Sequence, residues 1–494
     1  MTETKSLETK IMNVYSKMKS ASAGKSKEFI IPLYFMKRMS DSFEEAAERI
    51  FQETGDYGKA WNMPEYHNFY VPEVARWATL QKVNHSLGSA LSEAFEGLGE
   101  FNENLKDALE SYCQDAEVLN VDRELEAGVF HIIQSLSDIP LRDGDLADPE
   151  DAVRMFERII YKLALDEKRA LEGYAIPQSL AHVMVALLEA DDEMTVCDPA
   201  CGTGSLLVEC NEYLKARDRE GVLKLYGQEV NRNSWRISKL ALAISGSLNP
   251  TIKLGDAITE PGFVENGNLM QFDRVISVPP FSKKDWGYEV AKKDPFGRFR
   301  YGVPPKGTGD FAYLQHMIAN LNGKGKLVTV APAGILFRGG SEGSIRKGIT
   351  QSDLIEAVIA LPTGLFSHTA IPTYIIVINM EKPAERTKSV LFIAADQEFQ
   401  QDRRDNSYRH ENAAKIVSSF KEYSDIEKYC RVVPISEIAE NEFNLSMPLY
   451  VDTSPEIETV DIESAVKDIL EIEGQRKKVR DELFKSLNKI RGFE

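Results

Sequence analysis

Between residues 171 and 381, short β-branched and apolar runs alternate with windows in which apolar residues recur at three- and four-residue steps. This alternation restricts the possible folds most, because strands joined by helical crossovers pair in parallel. The predicted strands are Thr195–Asp198, Lys224–Gly227, Thr251–Leu254, Arg274–Ile276, Lys326–Val330, Ala357–Leu361 and Thr373–Asn379. The predicted fold class is therefore α/β, with a mainly parallel sheet covered by helices.

The last two predicted strands are separated only by residues 362–372. Parallel neighbours need a crossover of a dozen or more residues, usually a helix. This connection is too short for one, so we expect that pair of strands to be antiparallel.

Helical periodicity occupies both flanks of the α/β region. In the first flank, apolar residues recur with helical spacing at Phe35, Met39, Phe43 and Ala47, and again at Met155, Ile159 and Leu163. We therefore predict a helical amino-terminal domain at residues 1–165 and the sheet domain at 166–453. After the helix-start signal Ser454-Pro455, residues 454–494 are predicted to form amphipathic helices. Packing on their own chain and docking onto a partner are equally open interpretations.

Charge and composition restrict the function. The chain has 59 Lys and Arg against 77 Asp and Glu, a net charge of −18, which argues against a broad nucleic-acid surface. Its five cysteines lack the spacing of a disulfide scaffold or a metal site, so we expect no metal. With no run of about 18 apolar residues and no signal-peptide core, we expect a cytoplasmic protein without membrane contact.

A glycine-rich turn follows the first predicted strand and leads into a helix. The turn comprises Asp198, Pro199, Ala200, Cys201, Gly202, Thr203, Gly204 and Ser205. Backbone N–H groups at such a strand-to-helix turn suit a small charged ligand. The acid before the glycines favours a methionine-linked nucleoside over a pyrophosphate. Cys201 is interpreted as a small wall residue rather than a nucleophile.

Two further acids follow the next two predicted strands. Glu229 comes at the end of the second strand, where a carboxylate can accept both ribose hydroxyls. Asp256, followed by Ala257, comes after the third strand, where an acid can accept a hydrogen bond from an adenine amino group. One such acid alone is more often a solvated turn residue. Three at successive strand ends favour a nucleoside site.

The fourth strand runs into Ser277-Val278-Pro279-Pro280-Phe281. With the glycine-rich turn, this segment resembles amino-methyltransferases that use S-adenosylmethionine. Through the segments 281–286, 309–316 and 336–347, the chain more narrowly resembles the modification subunit of type I restriction-modification systems. The resemblance covers nearly the whole chain and implies a Rossmann-like, S-adenosylmethionine-dependent methyltransferase sheet.

The resemblance also implies an activity and partners. The target adenine in double-stranded DNA would be flipped out of the helix, stacked on Phe281 and hydrogen-bonded to the carbonyl of Pro279. Residues from the glycine-rich turn, with Glu229, Asp256 and Ala257, would hold S-adenosylmethionine, together with the upstream residues Tyr174, Ile176 and Pro177. A specificity subunit would read the DNA sequence, and a restriction subunit and self-association are further possible partners.

Two positions depart from the family. Val278 stands where the family has Asn or Asp, whose oxygen accepts the second amino hydrogen. By analogy with losing one oxyanion-hole donor, the rate could fall roughly 100- to 1000-fold. Ile176 stands where the family has Thr beside the cofactor. The alternative function is therefore a catalytically silent DNA-binding or assembly subunit of the same fold; methylation of protein or RNA is a weaker third.

A local basic segment addresses the objection that the acidic charge raises against DNA. Residues 281–307 contain seven basic and three acidic residues, a local charge of +4, among Gly and Pro. This composition also fits a solvated loop. Beside the Pro-Pro-Phe turn, however, contact with the DNA backbone is favoured. The candidate DNA-binding residues are Lys283, Lys284, Arg298 and Arg300.

Overall fold

A computed structural model describes residues 9–10, 13, 29–83, 85–114, 123–148, 150–166, 176–217, 222–247, 249–366, 371–398, 400–401, 406–407, 410–454 and 462–491. The chain divides into two compact units, residues 1–451 and 452–494. Of the site residues predicted from the sequence, Tyr174 lies outside the described ranges.

The amino-terminal part of the first unit is helical, as predicted. Its α-helices are α1 Ile30–Thr54, α2 Tyr57–Asn62, α3 Trp77–Leu80, α4 Leu87–Phe101, α5 Glu103–Cys113, α6 Arg123–Ser137 and α7 Glu150–Asp166. Residues 30–41 of α1 are all buried, so the first part of this helix is enclosed on every side, and Phe43 and Ala47 continue the contact with the core. Gly55 ends α1 with a left-handed φ of 66°, a conformation that glycine adopts without steric cost.

Strands and helices alternate in the rest of the unit. In chain order they are α8 Gln178–Leu188, β1 Thr195–Asp198, α9 Ser205–Lys215, β2 Lys224–Glu229, α10 Arg232–Ile244, β3 Thr251–Leu254, β4 Val264–Glu265, β5 Asn268–Leu269, β6 Phe272–Ser277, α11 Tyr288–Ala291, α12 Asp310–Ala319, β7 Leu321–Pro332, α13 Gly334–Phe337, α14 Gly340–Gln351, β8 Ile355–Ala360, β9 Thr373–Asn379, β10 Ser389–Ala394, β11 Gln400–Gln401, β12 Asn406–Ser407, α15 His410–Glu422, β13 Cys430–Pro434 and α16 Ile435–Glu440.

Nine of the described strands form one sheet, in the order β3-β2-β1-β6-β7-β9-β8-β10-β13. Neighbours from β3 to β7 pair in parallel. Strand β9 runs antiparallel between β7 and β8, which confirms the orientation predicted for the last two sequence-derived strands. Strands β10 and β13 lie beyond the segment in which the sequence pattern predicted strands and extend the sheet on the β8 side.

The central strands of the sheet are buried on both faces, whereas the edge strand β3 is mostly exposed. Side chains that alternate along the central strands fall into two hydrophobic clusters: Val196 and Ile276 belong to one, and their chain neighbours Cys197 and Val275 to the other. The first cluster also contains apolar residues of α1 and α8, and the second contains apolar residues of α12. Burial on both sides explains why the strands are continuous hydrophobic runs rather than alternating ones.

The second unit contains one described helix, α17 Ile462–Arg491, of 30 residues. Its large apolar side chains are exposed: Val466, Ile469, Leu470, Ile472, Val479, Leu483, Phe484 and Leu487. The sequence predicted several helices here. In the parts of the chain that the structure describes, no helix is both long and apolar enough to cross a membrane.

The buried carboxylate of Glu356 on β8 gives a test of the fold. Glu356 is fully buried and bonded to Arg386 at 2.9 Å and to Asn379 at 3.0 Å, with Lys326 at 3.4 Å. We expect Glu356→Ala to lower the unfolding free energy by about 3–5 kcal/mol, because the largely buried Arg386 loses this counter-charge and, within the described residues, Lys326 keeps only Glu189. Denaturant unfolding measures this loss.

The matched control is Glu381→Ala, because Glu381 lies 3.9 Å from Lys324 and both side chains are largely exposed. An exposed pair contributes little, so this variant should unfold like the wild type. Equal losses from the two variants would contradict the role assigned to burial.

Candidate functional site

The glycine-rich turn joins the end of β1 to the start of α9. Asp198, the last residue of β1, is buried, and its Oδ1 accepts a hydrogen bond from the N–H of Ala200 at 3.0 Å. Gly202 and Gly204 have left-handed φ values of 57° and 86°. A Cβ at Gly204 would lie 3.0 Å from the Cβ of Ser238 on α10. Glycine is therefore required for both the bend and the close packing.

The other residues of the turn are closely packed. Pro199 and Cys201 are buried, and the N–H of Cys201 donates to the carbonyl of Gln228 on β2 at 3.0 Å. Burial raises the pKa of the Cys201 thiol, so the group is a wall rather than a ready nucleophile. The hydroxyls of Thr203 and Ser205 lie 3.3 Å apart at the start of α9.

Glu229 ties the turn to the end of β2. Its Oε2 accepts the N–H of Gly202 at 2.9 Å, and its Oε1 accepts the N–H of Asn231 at 2.6 Å. The residue is only 3% exposed. An ionised carboxylate offers about four lone-pair positions, so two backbone donors leave acceptor capacity for ligand hydroxyls.

This part of the site contains two buried carboxylates, those of Asp198 and Glu229. Burial raises the pKa of Asp198 to about 7, although the Ser277 hydroxyl and the Ala200 N–H favour its ionised form and Glu229 opposes it. Burial also raises the pKa of Glu229, despite its backbone donors. Within the described residues, Ser277 Oγ has no hydrogen bond of ordinary geometry. Such a site favours a ligand that brings positive charge and hydroxyl donors.

Asp256 follows β3 and contacts the segment after Phe281. Its Oδ1 accepts the N–H of Ile258 at 2.8 Å, while its Oδ2 lies 3.2 Å from Lys283 Nζ. Lys283 Nζ also lies 3.3 Å from the hydroxyl of Tyr313 on α12. The neighbouring Ala257 is buried. Sequence reasoning did not assign Tyr313 to the site; its place in the segment 309–316 was the only signal.

The Pro-Pro-Phe segment leaves the end of β6 beside the strand that carries Asp198. Pro279 is buried and Pro280 is exposed, while Val278 and Phe281 are half-buried and pack against the cluster that contains Val196. The Phe281 ring meets the Phe366 ring edge-on, with centroids 5.5 Å apart at 87°. Upstream of α8, Ile176 packs on the same cluster and Pro177 is buried.

A network that sequence reasoning missed holds this segment. Ser282 has a left-handed φ of 51°, unusual for a residue with a side chain, and its N–H donates to Asp310 Oδ1 at 2.6 Å. The other oxygen of Asp310 accepts from Thr308 Oγ1 at 2.9 Å and from Arg338 at 3.3 Å. Asp310 therefore fixes the backbone immediately after Phe281.

The four candidate DNA-binding residues lie in different environments. Lys284 and Arg300 are exposed. Lys283 is half-buried against Asp256, as described above. Arg298 requires a correction, because it is 2% exposed, bonded to Asp294 at 2.7 Å, and donates to the carbonyls of Ala257 and Ile258. It stabilises the loop and is not accessible to a phosphate.

Comparisons with known proteins identify the family that the chain resembles. A family model described as N-6 DNA Methylase matches residues 148–459, and one described as HsdM N-terminal domain matches residues 7–129. The type I restriction enzyme MjaVII methylase subunit of Methanocaldococcus jannaschii is 31% identical over 472 residues, covering 92% of this chain and 79% of that protein. The HindI methylase subunit of Haemophilus influenzae is 29% identical, covering 78% and 90%.

A solved structure shows the same likeness. The type I restriction-modification system methyltransferase subunit from Streptococcus thermophilus superposes with a TM-score of 0.77 and 26% identity, covering 91% of this chain and all of that one. A modification subunit of a type I restriction enzyme from Vibrio vulnificus has a TM-score of 0.62 at 15% identity and supports the fold alone.

The raised pKa of Asp198 predicts a pH-dependent stability. Because the pKa rises from 3.8 to about 7 on folding, the native state keeps its proton to higher pH than the unfolded chain. Between those values the native state loses stability as the pH rises, since it binds more protons. Asp198→Asn keeps an acceptor for Ala200 and removes the ionisation.

Without ligand, we expect Asp198→Asn to be more stable than the wild type at pH 8, by roughly 2–4 kcal/mol, and the difference to vanish near pH 4. Denaturant unfolding across this range measures the difference, with the exposed Asp285→Asn as control. A difference that does not change with pH would contradict the assignment.

Proposed function

The chain belongs to the N-6 DNA methylase family, and we propose that it acts as the modification subunit of a type I restriction-modification system, methylating N6 of adenine in DNA. The observation that carries the proposal is the pair of buried carboxylates, Asp198 and Glu229, around a glycine-rich turn beside the Pro-Pro-Phe segment. Nothing in the comparisons favours a catalytically silent subunit.

The residues present fit S-adenosylmethionine, which when bound supplies a methyl group on a sulfonium ion. Asp198 and Glu229 provide negative charge for its cationic groups and acceptors for its ribose hydroxyls. Through its Oδ2, Asp256 provides an acceptor for the amino group of the cofactor's adenine ring. The side-chain-free position Gly202 lets the ligand approach the backbone closely, whereas Gly204 is needed for packing against Ser238.

The target adenine is held at the end of β6. Phe281 stacks on the flipped base, and the Pro279 carbonyl accepts one hydrogen of the amino group. This contact draws the nitrogen lone pair away from the ring and aims it at the methyl donor. Val278 adds an apolar wall but no second acceptor, so we expect a slower reaction than in relatives with Asn or Asp there.

The division into domains at residues 1–165, 166–453 and 454–494 remains part of the proposal. A specificity subunit is the partner that we assign to α17, because its apolar side chains are exposed within the structure described here. That subunit reads the DNA sequence, which fits a chain with a net charge of −18 and a local basic segment.

A labelling experiment tests the function. The chain is incubated with a specificity subunit, duplex DNA containing its site and S-adenosylmethionine labelled in the methyl group, and the nucleosides are separated. We expect label in N6-methyladenine from the wild type and much less from Phe281→Ala, which removes the stacking surface. Absence of label from DNA incubated with the wild-type protein would refute the proposal.

The same assay tests the position of Val278. Val278→Asn restores a side-chain oxygen for the second amino hydrogen, and we expect the methylation rate to rise by roughly 100-fold or more. Val278→Leu has the same four-atom side-chain skeleton, branched at Cγ, as asparagine but no acceptor, and is the matched control. Equal rates for the two variants would show that the missing acceptor does not limit the reaction.

The exposed cations at this edge are tested by salt dependence. In the complex with the specificity subunit, we expect Lys284→Ala and Arg300→Ala each to reduce the slope of log affinity against log salt by about 1. Lys324→Ala, an exposed lysine near the amino end of β7, should leave the slope unchanged. Arg298→Ala should destabilise the protein without a specific change in slope, and slopes unaffected by Lys284 and Arg300 would remove both from the interface.

A further inference from the structure

The two residues that follow Phe281, Ser282 and Lys283, are each held by a contact with a distant part of the chain. The backbone of Ser282 is held by Asp310 at 2.6 Å, and its left-handed φ of 51° shows that this position is imposed by the surroundings. The next side chain, Lys283, extends to Asp256 beyond β3. The base-binding segment, residues 279–283 with the proposed base-binding residues Pro279 and Phe281, is therefore linked directly to Asp256, which we propose holds the cofactor.

The charge of Lys283 is already satisfied by this link. Its Nζ lies 3.2 Å from Asp256 Oδ2 and 3.3 Å from the Tyr313 hydroxyl, with the lysine side chain 29% exposed and the aspartate 20%. Burial alone would lower the pKa of Lys283, but Tyr313 and Asp256 outweigh it and raise that pKa. Lys283 is therefore charged when the site works, and its charge is directed toward the cofactor side. The exposed Lys284 is better placed for a phosphate.

The Asp256 carboxylate can serve both partners. Its Oδ1 is used by the N–H groups of Ile258 and Thr259, which leaves Oδ2 as the oxygen that meets Lys283. A carboxylate oxygen accepts more than one hydrogen bond, so the same Oδ2 can accept hydrogen bonds from Lys283 and from the amino group of the cofactor's adenine together. A ligand that contacts Asp256 therefore also acts on Lys283 and, through it, on the residues next to Phe281.

We propose that Lys283 is a positioning residue that couples the cofactor site to the base-binding segment, so that each ligand binds more tightly when the other is present. The proposal rests on the proposed function and deepens it. Coupling between two sites is reciprocal, and typical values lie at about 5- to 150-fold in affinity. Through Lys283, a contact that one ligand makes with Asp256 is transmitted to the residues beside Phe281, which hold the other ligand.

The test measures coupling rather than activity alone. In the complex with the specificity subunit, calorimetry gives the affinity for S-adenosylhomocysteine, a non-reactive probe, with and without cognate duplex DNA. We expect DNA to tighten probe binding at least about 5-fold in the wild type, and the probe to tighten DNA binding equally. Lys283→Met should bring both factors close to one, and Lys283→Arg should restore part of the coupling.

Two further variants complete the design. Lys324→Met, at an exposed lysine near the amino end of β7, controls for loss of a lysine and should keep the full coupling. Tyr313→Phe removes the hydroxyl beside Nζ while keeping the ion pair, and should lower the coupling partly even if Lys283→Met fails to fold.

The possible failures are distinguishable. Coupling absent from a wild type that methylates DNA, or unchanged in Lys283→Met and Tyr313→Phe, overturns the inference and leaves the proposed function standing. If Lys283→Met lowers the slope of log DNA affinity against log salt by about one and leaves the coupling intact, Lys283 is assigned to a DNA phosphate instead. A wild type that neither binds the probe nor methylates DNA refutes the proposed function itself.

Discussion

Parallel pairing of β3, β2, β1 and β6 is the constraint on which the proposed site depends, because it brings four strand ends to one edge of the sheet. Asp198, Glu229, Asp256 and Val278 come at or just after these ends. The hydrogen bond from Gly202 to Glu229 joins two neighbouring strand ends at 2.9 Å. Residues 80 positions apart in the sequence are thus held together by backbone geometry before any ligand arrives.

The distribution of charge along this edge fits the two ligands of the proposed function. Asp198 and Glu229 lie buried where we propose that S-adenosylmethionine binds, and burial raises the pKa of both carboxyl groups. The exposed cations Lys284 and Arg300 follow Phe281 in the chain, where we propose that DNA phosphates approach. Lys283 stands at the boundary between these regions. An acidic protein can therefore act on DNA without a broadly basic surface.

Sequence reasoning succeeded where the signal was local. Strand periodicity predicted seven of the nine described strands of the sheet and missed β10 and β13, and the short connection before Thr373 predicted the antiparallel pair correctly. The glycine-rich turn at Gly202 was recognised from its residue types. It failed where a side chain's partner is distant in sequence. Arg298 looked accessible because two of its acceptors, the carbonyls of Ala257 and Ile258, lie about 40 positions away, although its ion-pair partner Asp294 is only four residues distant. No spacing rule shows that Asp310 holds Ser282.

Helix α17 has a consequence for the life of the protein in a cell. Val479 and Leu483 are 66% and 58% exposed. A row of exposed apolar side chains on a 30-residue helix promotes non-specific association when no partner covers it. If a specificity subunit covers this row, as proposed, a surplus of this chain over that partner would be prone to aggregation and proteolysis. On that proposal the amounts of the two polypeptides have to be matched, and abundance becomes a property of the pair.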